Sequence, residues 1–122
     1  MALESTKYHD GVKFKVVTDQ AITTSAIAIN ASGGPGKLFS ITASNLKSAN
    51  TAVYVKVYFT AAPILGTTYP DLIFPVLGGA SQTLQIPYGY DYTELGFSCT
   101  LNATPLDTTN PSASTAVTLT CS

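Results

Sequence analysis

The sequence predicts an all-β protein: a single antiparallel β-sandwich of about eight strands, with jelly-roll-like winding as one way to connect them and a short N-terminal arm in front. Three observations lead there. Short segments with apolar and polar residues in alternation recur every dozen or so positions, most cleanly in Val53-Tyr54-Val55-Lys56-Val57-Tyr58-Phe59 and Leu95-Gly96-Phe97-Ser98-Cys99-Thr100-Leu101. Alternation with a period of two puts successive side chains on opposite faces of a strand. No segment carries a helical apolar period over ten residues. Almost no charge lies between the segments, and Gly- and Pro-rich breakers separate them.

The 122 residues suit one domain, divided into an arm over residues 1–12 and a sandwich over residues 13–122. The arm mixes small and polar residues without a period. Lys13–Val17 reads as a first strand, with Phe14 and Val16 on one face, and Ile22–Ile29 as a second. Ser32-Gly33-Gly34-Pro35-Gly36 breaks the chain before a third strand over Leu38–Ala43, where Phe39, Ile41 and Ala43 alternate with Ser40 and Thr42. Val53–Phe59 is the fourth, with its valines and Phe59 inward and Tyr54, Lys56 and Tyr58 outward. Leu72–Val76 is the fifth, and Pro75 within it marks an edge or a bulge. Leu84–Ile86 is a short sixth strand closed by Pro87, followed by a loop dense in tyrosine, Tyr88-Gly89-Tyr90-Asp91-Tyr92. Leu95–Leu101 is the seventh, with Leu95, Phe97, Cys99 and Leu101 inward. After the polar connection 102–115, Ala116–Cys121 is the last, with Val117, Leu119 and Cys121 on one face.

Charged residues make up only 11% of the chain, against about 25% in ordinary domains. Eighteen Thr and eleven Ser supply the polarity instead. Thr is β-branched and suits strand surfaces. A charge-poor surface desolvates and associates readily, which fits a protein that works inside an assembly; a monomer with a Thr-rich coat fits the same composition. All six basic residues are Lys, none lies beyond Lys56, and the acids after it are Asp71, Asp91, Glu94 and Asp107. Without a clustered basic patch, nucleic acid is not an expected partner. No run approaches the ~18 apolar residues of a membrane span, so no membrane role is expected. The first residues lack an apolar signal region, so export by that route is not expected.

Little in the sequence points to catalysis or cofactors. The lone His9 stands beside Asp10 in the arm, where a general base would lack a rigid mount. Gly-x-Ser-x-Gly does not occur. Asp91 and Glu94 lie close enough for a cation or acid–base role, but a solvated loop accounts for them. Gly33-Gly34-Pro35-Gly36 has no Lys-Ser/Thr pair behind it and reads as a turn rather than a phosphate cradle. Two Cys and one His at distant positions make no metal site. A hairpin of the last two strands centred near Asn110-Pro111 would set Cys99 opposite Cys121. That register permits a disulfide, whereas a reducing compartment favours free buried thiols. Asn30-Ala31-Ser32 and Asn102-Ala103-Thr104 match the glycosylation pattern.

The remaining candidates are contact residues. Tyr88, Tyr90 and Tyr92 alternate, as do Tyr54 and Tyr58, and exposed tyrosine favours interfaces and sugar stacking. The same rings could instead cover the end of the core. Lys7, Tyr8 and His9 are the candidate contacts of the arm, which is expected to order against a neighbour.

Four stretches give the chain a recognisable type: Gly34-Pro35-Gly36-Lys37-Leu38; Val53-Tyr54-Val55-Lys56-Val57-Tyr58; Leu65-Gly66-Thr67-Thr68-Tyr69-Pro70; and Leu95-Gly96-Phe97-Ser98-Cys99-Thr100 with Thr104-Pro105-Leu106-Asp107. As a whole it resembles small β-sandwich virion proteins of tailed bacteriophages. The resemblance implies a capsid decoration or cement subunit, made in the host cytoplasm and placed on the capsid exterior. Its implied partners are the major capsid protein and copies of itself, commonly as a trimer, with no catalytic residues or cofactors. A tail, baseplate or fibre component of the same virion stays open. So does a carbohydrate-binding sandwich using Tyr88, Tyr90 and Tyr92.

Overall fold

The structure, a computed structural model, describes residues 3–9 and 14–122, with only the backbone described for residues 4–9 and 14. The strands are β1 (Leu3–His9), β2 (Phe14–Ile22), β3 (Gly36–Ser44), β4 (Val53–Tyr58), β5 (Leu72–Val76), β6 (Ser81–Tyr92), β7 (Gly96–Thr100) and β8 (Thr115–Cys121). They form two antiparallel sheets, and the described residues include no helix. One sheet has the order β2-β8-β3-β6 with β1 added beside β2, and the other has the order β5-β4-β7. Beyond β7, Ala28 bridges Phe97 and the Ala31 amide donates to the Leu95 carbonyl at 2.6 Å. The pairings β2/β8, Ala28/β7, β3/β6 and β4/β5 are those of one long antiparallel ribbon folded over on itself, which is a jelly roll.

The core lies between the sheets. Val17, Leu38, Ile41, Ala43, Val117, Leu119 and Cys121 face Val53, Val55, Val57, Val76, Phe97 and Cys99, all buried. Each fully buried Val, Leu, Ile or Phe contributes about 1.5–3 kcal/mol. Alternation in β4, β7 and β8 therefore reports the inward face as expected, and β5 with Pro75 is an edge strand.

Several expectations need correction. The expected strand over Ile22–Ile29 is not formed: β2 ends at Ile22, and only Ala28 makes a ladder contact. Ser25 diverts the chain, its amide donating to Asn110 Oδ1 at 2.9 Å and its hydroxyl to the Thr108 carbonyl at 2.7 Å. Leu3–His9 of the expected arm is an edge strand rather than unpaired chain. The remaining arm positions, 1–2 and 10–12, lie outside the described residues.

Phe39 does not point inward. Leu38 pairs with Cys121 and Ser40 with the adjacent Thr120, so Phe39 is the extra residue of a bulge that resets the parity of β3. Leu38, Ile41 and Ala43 take the inward positions. The last two strands are not a hairpin either. β7 and β8 belong to different sheets, Cys99 pairs with Val55, Cys121 pairs with Lys15 and Leu38, and both thiols are free and buried.

Candidate functional site

The Tyr-rich segment is the end of β6, not a loop. Opposite it, Leu38 pairs with Tyr90 and Ser40 with Gln85. Residues 86–89 of β6 are therefore surplus over a single residue of β3; Ile86 still packs against the core, and Pro87 and Tyr88 stand exposed on an arch. Gly89 makes the arch possible. Its φ is +75°, and a Cβ there would stand 2.9 Å from both Lys37 Cβ and a Phe39 ring carbon. The arch thus rests on Phe39, the residue that the β3 bulge turned outward. Lys37 Nζ holds Asp91 Oδ1 at 2.8 Å and ties down its C-terminal leg.

This frame separates the three tyrosines. Tyr92 is buried, and its hydroxyl donates to the Ser122 carbonyl at 3.2 Å. Burial pushes its phenol well above the ordinary range, hydrogen bonding to Ser32 opposing. Tyr90 stacks on Phe59, with ring centroids 4.6 Å apart and planes at 22°. Tyr92 and Tyr90 close the end of the core. Tyr88, at the crest of the arch, is 92% exposed.

The pair on β4 divides as well. Tyr54 is half-buried, while Tyr58 is only 1% exposed and Lys56 is fully buried. A strap formed by the β7–β8 connection helps to roof that side of the three-stranded sheet. Lys56 Nζ donates to the Thr104 carbonyl of the strap at 2.6 Å. Burial pulls the Lys56 ammonium down, with Asp107 opposing, and pushes the Tyr58 phenol up. The strap is held in shape by Asp107, which accepts from the Asn102 and Thr109 amides at 3.2 Å each and from the Thr109 hydroxyl at 2.8 Å. Slight desolvation of Asp107 is outweighed by these hydrogen bonds, and its carboxyl sits below the usual range. Tyr58 and Tyr92 are therefore not surface contact residues, because β4 lies under a roof and β6 turns Tyr92 into the core. The side chains of Lys7, Tyr8 and His9 lie outside the described residues, although their backbone belongs to β1.

Both cysteine side chains are buried in the core. Burial, with a smaller contribution from the Asp19 carboxylate, pushes the Cys99 thiol up to about 12. Burial also raises Cys121 against the opposing effects of Tyr92 and Lys15. Neither thiol is a nucleophile at neutral pH. Among the described residues no three His, Cys, Asp or Glu side chains gather as metal ligands.

What sequence reasoning missed is the arch. Its signal was present in Pro87 and Gly89, which flank Tyr88. Tyr69, also strongly exposed, carries no comparable signal. No protein-family model matches the chain, and no curated protein is significantly similar to it.

Proposed function

We propose that this protein is a non-enzymatic virion structural subunit of the capsid decoration or cement type, which binds the outer capsid surface and stabilises it. The observation that carries this reading is Tyr88 held on a braced arch of an otherwise charge-poor jelly roll. A rigid aromatic anchor loses little conformational freedom on binding and suits a contact repeated by symmetry. The jelly roll, an architecture found in viral capsid and lectin domains, supports the reading by analogy of fold. The commitment of Cys99, Cys121, Asp91 and Asp107 to structural contacts supports a role without catalysis. Its partners are then the major capsid protein and further copies of this chain, and its place is the virion exterior.

The test is particle stability. Adding purified protein to virus particles that lack it should raise the temperature at which they disrupt and release their genome. An unchanged disruption temperature would count against a cement role. A tail, baseplate or fibre location predicts binding without this shift. A carbohydrate-binding role predicts hits on a glycan array that depend on Tyr88.

A further inference from the structure

Strands β1, β5 and β6 end their sheets, whereas the outer side of β7 is met by Ala28. An open edge invites another strand, and charge or proline on it blunts the invitation. β1 carries Glu4 and Lys7, and β5 carries Pro75 at an exposed position. The first six residues of β6, Ser81-Gln82-Thr83-Leu84-Gln85-Ile86, carry neither.

The register decides which main-chain groups this edge offers. The Asn45 amide donates to the Ala80 carbonyl at 2.8 Å, one step beyond the Ser44–Ser81 pair of the β3–β6 ladder. Hydrogen-bonded and non-bonded pairs alternate along an antiparallel ladder. Gln82 and Leu84, opposite Ala43 and Ile41, therefore turn their amides and carbonyls to β3. Ser81, Thr83 and Gln85 turn theirs to the open edge, where the sheet has no further strand. Their side chains are exposed on the outer face, while Leu84 and Ile86 on the inner face pack against the core and stay partly exposed.

Such an edge is its own complement. A two-fold axis at Thr83 sets Thr83 of one copy against Thr83 of the next and Ser81 against Gln85, and each pair exchanges two main-chain bonds. No charge meets a like charge, and the outer-face row Thr18, Thr118, Thr42, Thr83 runs on into the same row of the second copy. We infer that two copies of this chain pair antiparallel through residues 81–85 of β6, joining their five-stranded sheets into one continuous sheet. The contact is short, so the dimer forms reversibly and with rising concentration. The inference deepens the proposed contact between copies and rests on that reading for its place in the particle. It is tested without virus, so its failure leaves capsid binding standing.

The experiment is sedimentation velocity on the purified full chain over a concentration series. Wild type should pass from monomer to dimer and stop, because a two-fold contact uses up both edges. Thr83→Pro removes an amide that faces the open edge and spares the ladder to β3. It should fold as wild type by circular dichroism and need about tenfold or more higher concentration to dimerise. If Thr83→Pro does not fold, Thr83→Lys replaces it, setting like charges against each other across the axis from an exposed position. Disulfide trapping reads the register, since Cα atoms of such a pair stand about 5.5 Å apart, within disulfide reach. On mild oxidation Thr83→Cys should link to itself, whereas Ser81→Cys and Gln85→Cys should link only when mixed. The native Cys99 and Cys121 are buried and take no part. A monomeric wild type, growth beyond the dimer, edge variants that dimerise like wild type, or equal self-linking of all three cysteine variants would each overturn the inference.

Discussion

The outer faces of the two sheets are built from the same kind of sequence and end up in opposite environments. On the five-stranded sheet, Thr18, Thr118, Thr42 and Thr83 stand in one row across four strands. The Thr42 and Thr83 hydroxyls bond each other at 3.0 Å. Thr18, Thr42 and Thr118 are partly exposed and Thr83 is exposed, so this row meets solvent. On the three-stranded sheet the corresponding face of β4 carries Lys56 and Tyr58, both sealed from solvent. The β7–β8 strap, and not a second sheet, takes the Lys56 ammonium. Polarity in an alternating strand therefore marks the side away from the sandwich core, but does not tell whether that side meets water.

The sharpest way to break this contrast is a pair of truncations. Tyr58→Ala should empty a buried space on this face and cost about 3–5 kcal/mol, as for other large aromatic truncations in cores. Thr118→Ala, in the middle of the open row, should stay within about 0.5 kcal/mol. Urea unfolding of both variants measures the difference, and equal costs would dissolve the distinction between the faces.

A second prediction concerns the core that both sheets share. The Cys99 thiol is raised from its ordinary 9.0 to about 12. The unfolded chain loses this proton first, so the group's contribution to stability is complete below pH 9 and lost as pH rises toward 12. The loss approaches about 1.4 kcal/mol per pH unit within that window. Cys99→Ala should flatten that part of the stability profile, measured by denaturant unfolding across alkaline pH, while lowering stability at neutral pH by a constant cavity cost.

A smaller effect should sharpen the account of the roof. Asp107→Ala removes the acceptor that organises the strap and should lower the free energy of its local opening by about 1–2 kcal/mol with little change in global stability. Hydrogen exchange at the Thr109 amide, which donates to Asp107, and at Leu101, whose amide donates to the Thr109 carbonyl, should accelerate. The Asp107 carboxyl is lowered in the fold, so its stabilisation is present above its ordinary value of 3.8 and fades as pH falls through the folded value. Wild-type exchange at these amides should accelerate in acid beyond the intrinsic pH dependence of exchange, approaching that of the variant.

Much of the fold was legible because burial writes itself into period-two patterns. Val53, Val55, Val57, Phe97, Cys99, Val117 and Leu119 are inward as the alternation requires. The misreadings share a cause: they depend on contacts between segments far apart in sequence. The β3 bulge that turns Phe39 outward leaves no mark in Leu38–Ala43, where Phe39, Ile41 and Ala43 alternate without a break. Ser25 leaves the ladder for Thr108 and Asn110, more than eighty residues away. Lys56 is buried by a carbonyl forty-eight residues downstream. The sequence pattern does not separate the three tyrosines of β6: only the bulge, Gly89 and the Phe59 stack decide that Tyr88 is presented, Tyr90 half-covered and Tyr92 enclosed.

The proposed role turns on where the protein sits. Electron cryomicroscopy of virus particles lacking it, after addition of the purified protein, tests this most directly. The proposal predicts ordered density repeated over the outer capsid surface, lost when Tyr88→Ala protein is added in its place. Density confined to the tail, or capsids left bare by wild-type protein, would contradict it.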